Sequence, residues 1–111
     1  MCLLELNFLK SVTNNDPILI KEFVTDFLIE ELEFEGEIKL QAQCRNVKNI
    51  EKAIHKFRSC IKVIGIPCLE KEIDLLEYYL KNHDFDNINC GIQHMQIILD
   101  MSKKELELCL Q

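Results

Sequence analysis

Only three glycines and two prolines interrupt this 111-residue sequence, and that scarcity constrains its fold more than any other feature. Gly and Pro supply the unusual backbone angles that punctuate a chain. A sequence so poor in them, and rich in Leu, Ile, Glu and Lys, is built of long helices joined by short connections. An apolar fraction of 48% gives those helices a core to share, and a chain of this length buries roughly two-thirds of its unfolded surface without staples. Residues 1–111 are therefore read as a single all-α domain.

Hydrophobic spacing divides the chain. Residues 2–11 place Leu3, Leu6 and Leu9, or Leu4 and Phe8, at helical intervals and predict a short amphipathic helix. The turn Thr13-Asn14-Asn15-Asp16-Pro17 also starts the next helix: Asp16 is its cap, and Pro17 fits a first position whose N–H has no intrahelical partner. From there to about residue 44, Ile20, Phe23, Val24, Phe27, Phe34 and Ile38 form one stripe, with Glu31 its one polar member. Gly36 weakens that helix by about 1 kcal/mol relative to Ala without breaking it. A third helix is predicted over 47–64, stopped by Gly65-Ile66-Pro67. A fourth covers about 68–81, closing at Asn82-His83-Asp84. The fifth covers about 87–110, with Ile88, Ile92, Met95, Ile98 or Leu99, Leu106 and Leu110 as its stripe. Short connections make neighbours antiparallel. The expected architecture is an antiparallel up-down-up-down four-helix bundle with an additional short N-terminal helix.

A formal net charge of −6 argues against a binder of nucleic-acid backbones. The negative charge collects in Glu30, Glu31, Glu33, Glu35 and Glu37 and near the C-terminus, whereas 45–62 is locally basic. Cys2, Cys44, Cys60, Cys68, Cys90 and Cys109 lack zinc-ligand spacing. Most are expected at apolar-face positions, as small reduced hydrophobes. Glu5 and Lys10 interrupt the apolar opening, so no signal peptide is read there. No apolar run is long enough to span a bilayer. These features together predict a cytoplasmic protein.

The chemistry lies on the third helix. With about 100° per residue, Ile50, Ala53, Phe57, Cys60, Ile61 and Ile64 fall within roughly 60° of the pole opposite His55. His55 therefore faces solvent, among Lys48, Glu51, Lys52, Arg58, Ser59 and Lys62. A solvent-facing neutral imidazole is an available nucleophile, and cations one turn away favour a phosphoryl dianion. Ser59, one turn on, is small enough to leave the ring open to a bulky partner. Basic helix faces carrying a His are common, so this pattern alone is a weak signal.

The surrounding order of residues is more specific. Ala53-Ile54-His55-Lys56-Phe57-Arg58-Ser59-Cys60-Ile61-Lys62-Val63-Ile64-Gly65 resembles the signature H-x-L-K-G-S-x-x-x-L-G of histidine-containing phosphotransfer (HPt) domains. Phe57 takes the apolar position, Arg58 the basic one, and Ile64-Gly65 the Leu-Gly pair. Leu69 and Leu76-Glu77 continue the likeness; upstream, Val47 and Ile50 match apolar positions, and Phe27 with its acidic run resembles the preceding family helix. The resemblance extends over about residues 16–80. Among its departures, Arg58 stands for the usual Lys, keeping charge but changing hydrogen-bond geometry, and Ser59 stands for the usual Gly.

The resemblance implies a phosphorelay intermediate without autokinase activity. His55, through Nε2, accepts a phosphoryl group from the aspartyl phosphate of one response-regulator receiver domain and passes it to the Asp of another. Arg58, with Lys62, steadies the phosphoryl group; Ser59 shapes access; Gly65 permits close backbone packing at the helix end. The protein needs no cofactor of its own, since the receiver brings Mg²⁺. Its partners are receiver domains and a hybrid histidine kinase, and it acts as a monomer. Three rivals stand beside this reading. One is the dimerisation and phosphoacceptor domain of a histidine kinase, with motif H-E-x-R-T-P, but Lys56 stands where an acid is needed and Cys60 where Pro is. Another is a phosphorylation-independent helical adaptor. The third is a metal carrier using His83 and His94.

Overall fold

Five α-helices carry almost all of residues 3–110, the part of the chain that the computed structural model describes: α1 (Asn7–Val12), α2 (Pro17–Gln43), α3 (Val47–Ile64), α4 (Pro67–Lys81) and α5 (Phe85–Cys109). There is no strand among the described residues. Cys2, where the predicted first helix begins, lies outside this range. The starts of α2, α3 and α5 are set by short polar side chains that accept from otherwise orphaned backbone donors. Asp16 Oδ1 accepts from Ile18 N at 2.9 Å ahead of Pro17. Asn46 Oδ1 accepts from Asn49 N at 3.0 Å, and Asp84 Oδ1 from Asn87 N at 3.3 Å.

The helices form the expected bundle. α2 packs on α3, α3 on α4, α4 on α5, and α5 returns to α2, closing a ring; α1 lies against α3. The buried side chains form one cluster through its centre. Phe57 stacks on Phe34 at 4.4 Å and on Phe27 at 5.4 Å between ring centroids. Such aromatic pairs are worth about 0.5–1.5 kcal/mol each beyond the area they bury. They pin α3 to α2 directly beneath its solvent face.

The N-terminal segment departs from expectation. Helix begins only at Asn7, because the chain before it crosses the α3–α4 corner: Glu5 N donates to Gly65 O at 2.7 Å, and Leu3 N to the Glu105 carboxylate. Leu9 is buried, but Phe8 points to water at 54% exposure. Gly65 is required twice over. Its φ of 89° is the left-handed value that ends α3, and a Cβ there would sit 2.0 Å from Glu5 O. α4 and α5 each begin earlier than the spacing suggested, at Pro67 and Phe85. Phe23, assigned to the α2 stripe, is 40% exposed, and Ile20 is half-buried.

The cysteine expectation holds only in part. Cys60 and Cys68 are half-buried, while Cys44, Cys90 and Cys109 are exposed, and all five are free thiols. Periodicity counts positions along a stripe, but the width of that stripe is set by how closely neighbouring helices approach. No helix among the described residues is long and apolar enough to cross a membrane.

Candidate functional site

α3 is two-sided. Ile50, Ala53, Ile54, Phe57, Ile61 and Ile64 are buried, each contributing roughly 1.5–3 kcal/mol of apolar burial for its larger members. Ile54, absent from the stripe read off the sequence, belongs to it. The opposite side carries Lys48, Glu51, Lys52, His55, Lys56, Ser59 and Lys62, all exposed. The helix that holds the imidazole is thus clamped by the core on one face only. Among the described residues, none forms a hydrogen bond or ion pair with the His55 ring, and none pairs with Lys52, Lys56 or Lys62.

Arg58 is placed differently. It is 24% exposed, and its guanidinium turns to α4, where Nη1 donates to Asp74 Oδ1 at 3.2 Å and Nη2 to Glu77 Oε1. Partial burial alone would lower its pKa, but Glu77 and Asp74 outweigh that and raise it. To serve a phosphoryl group at His55, Arg58 must give up these carboxylates. Sequence reading missed this pair of partners. The only signal was that Asp74 and Glu77 share one face of a helix, and nothing local says which helix that face meets.

Two grooves follow one another along the α2–α3 seam. The larger, about 550 Å³, has the stacked Phe34 and Phe57 in its floor, Lys52 and Lys56 on the α3 side, and Glu30, Glu33 and Glu37 on the α2 side. The smaller, about 240 Å³, is bounded by Phe23 and Phe27 on α2 and by Ser59, Cys60 and Val63 on α3. Burial, with Glu30 nearby, pushes the Cys60 thiol pKa up and away from a reactive thiolate. His55 lines neither groove. The structure thus brings His55, Lys52, Lys56, Ser59 and Lys62 onto one exposed surface and hands Arg58 to α4.

The other histidines lie elsewhere. His83 is exposed in the α4–α5 turn with φ 51°. His94 is on α5, its Nδ1 4.0 Å from Glu72 Oε2. Among the described residues no three His, Cys, Asp or Glu side chains cluster as a metal ion would need.

A second charged group lies inside the bundle. Glu31 of α2 is 1% exposed, and Lys103 of α5 places Nζ 3.0 Å from its Oε2. This is an ion pair by distance only: neither Glu31 oxygen has a well-formed hydrogen bond, nor does the buried Ser102 hydroxyl. Burial pushes the Glu31 pKa up from 4.5 to about 7; neighbouring Glu35 adds to the rise, and Lys103 opposes it. Lys103 is itself raised, chiefly by Glu31. At Glu31 loss of hydration outweighs the attraction of its partner.

Comparison with protein-family models, with curated proteins and with solved structures gives no match.

Proposed function

We propose that this chain is a phosphoryl carrier of the HPt kind, with His55 as the acceptor. The observation that carries the reading is an exposed imidazole, rimmed by unpaired lysines, on a helix whose other face is anchored in the core. Phosphoryl transfer asks a protein for position and charge more than for covalent chemistry, and this surface offers both. The Nε2 lone pair takes the phosphoryl group as the P–O bond to the donor's aspartyl carboxylate breaks; the electron pair leaves on that carboxylate. Lys52, Lys56 and Lys62 supply positive potential, and Ser59 leaves room for the donor. Donor and final acceptor are receiver domains, which bring Mg²⁺ and their own lysine. The setting is the cytoplasm, and the carrier has no kinase activity of its own.

The test is labelling by a phosphorylated receiver domain with Mg²⁺. The wild type gains acid-labile, base-stable label. His55→Gln gains none while keeping its helical signal, since exposed substitutions shift stability by under about 0.5 kcal/mol. Label retained by the variant refutes the assignment, and self-labelling with ATP alone would favour the histidine-kinase reading. The apolar-floored grooves support a second reading, an adaptor that docks its partner without transfer. In that case the wild type binds a receiver and takes no label.

A further inference from the structure

We infer that Asp74 and Glu77 of α4 are positioning residues that withhold Arg58 from a phosphoryl group on His55, keeping that group easy to discharge. The inference rests on the carrier reading and adds a regulating pair to it. Arg58 stands one turn from His55 on α3, so its side chain lies within reach of a phosphoryl group there. Yet both terminal nitrogens already serve carboxylates on the neighbouring helix. The two carboxylates together match the charge of a phosphoryl dianion. Moving the guanidinium from one to the other returns only the difference between two similar interactions.

The consequence suits a relay. A carrier that grips its phosphoryl group with a forked guanidinium holds it too firmly to pass on; one that offers only hydrated lysines holds it loosely. The charged groups that meet Arg58 are Asp74 and Glu77 on α4; on its own helix, Lys62 stands one turn on and Glu51 two turns back. Asp74 is 68% exposed and Glu77 37%, so both can be neutralised without opening the core.

The experiment loads His55 chemically and so does not depend on any receiver. In a His83→Gln, His94→Gln background, phosphoramidate phosphorylates the remaining histidine: its P–N bond breaks, the Nε2–P bond forms, and ammonium leaves with the imidazole proton. Phosphorus NMR then follows the titration of the phosphoryl group. A guanidinium beside it favours the dianion and lowers the midpoint. Asp74→Asn with Glu77→Gln should lower it by roughly one pH unit, a tenfold change, and adding Arg58→Ala should return it. Arg58→Ala with both carboxylates present should leave it nearly unmoved.

Two results overturn the inference. An equal fall without Arg58 means the carboxylates act by direct repulsion. A full-unit rise on Arg58→Ala in the otherwise native chain means the arginine already serves the phosphoryl group. Failure of receivers to label His55 would defeat the proposed function and leave this measurement intact.

Discussion

The molecule contains two carboxylate–cation groupings whose surroundings give them opposite characters. On the outside, Arg58 bridges α3 to Asp74 and Glu77 in partly hydrated positions. On the inside, a fully buried Glu31 meets a partly exposed Lys103 between α2 and α5. Water screens the outer group, so it adds little stability and its partners can be exchanged. The inner carboxylate has surrendered its hydration for one contact of indifferent geometry, so its ionised form is a burden on the fold. The charge that can be rearranged stands one turn from His55, and the charge that cannot lies in the seam opposite. The difference follows from the carboxylates' access to solvent, since the two cations, Arg58 and Lys103, are about equally exposed.

The largest effect is expected at Ser59. Ser59→Leu, beside His55 and bordering the smaller groove, should abolish transfer from a receiver while leaving the melting temperature unchanged. Bulk there keeps the donor phosphorus beyond the roughly 3–3.5 Å at which it reacts. Normal transfer by that variant would mean that the partner approaches from another side.

The next effect belongs to the seam. Because Glu31 is raised from 4.5 to about 7 in the folded protein, the folded state holds its proton more tightly than the unfolded chain does. Its contribution is full below pH 4.5 and is lost as pH rises through 7, amounting to roughly 2–4 kcal/mol. Glu31→Gln, which cannot ionise, should flatten this slope: near the wild type at pH 5 in urea unfolding, and more stable at pH 8. An unchanged slope would show that Glu31 stays hydrated.

The smallest effect sharpens the contrast. Asp74→Asn with Glu77→Gln should change unfolding free energy by less than about 1 kcal/mol, and less still in high salt. A loss of several kcal/mol would make the outer network structural, like the inner one.

Much of this was written in residue spacing. The α2 and α3 boundaries and the burial of Phe27, Phe34, Phe57 and Ile64 follow from periodicity and caps. The solvent-facing place of His55 follows from the same wheel that puts Ile50 and Ile61 in the core. Glu31 stood out as the polar member of an apolar stripe, but its partner did not, because Lys103 is one of several lysines far along the chain. The N-terminal segment misled: its leucines are helically spaced, yet Glu5 N finds Gly65 O, and that bond holds the segment out of the helix.

What the sequence determined by itself is therefore local: which stretches are helical, where each stops, and which side of each is apolar. Those depend on contacts within one or two turns. Tertiary structure alone decided where the charges went. Arg58 looked like one more cation around His55 until α4 laid Asp74 and Glu77 against it. Coulomb energies depend on distance in space and on access to water, and neither is a function of separation along the chain.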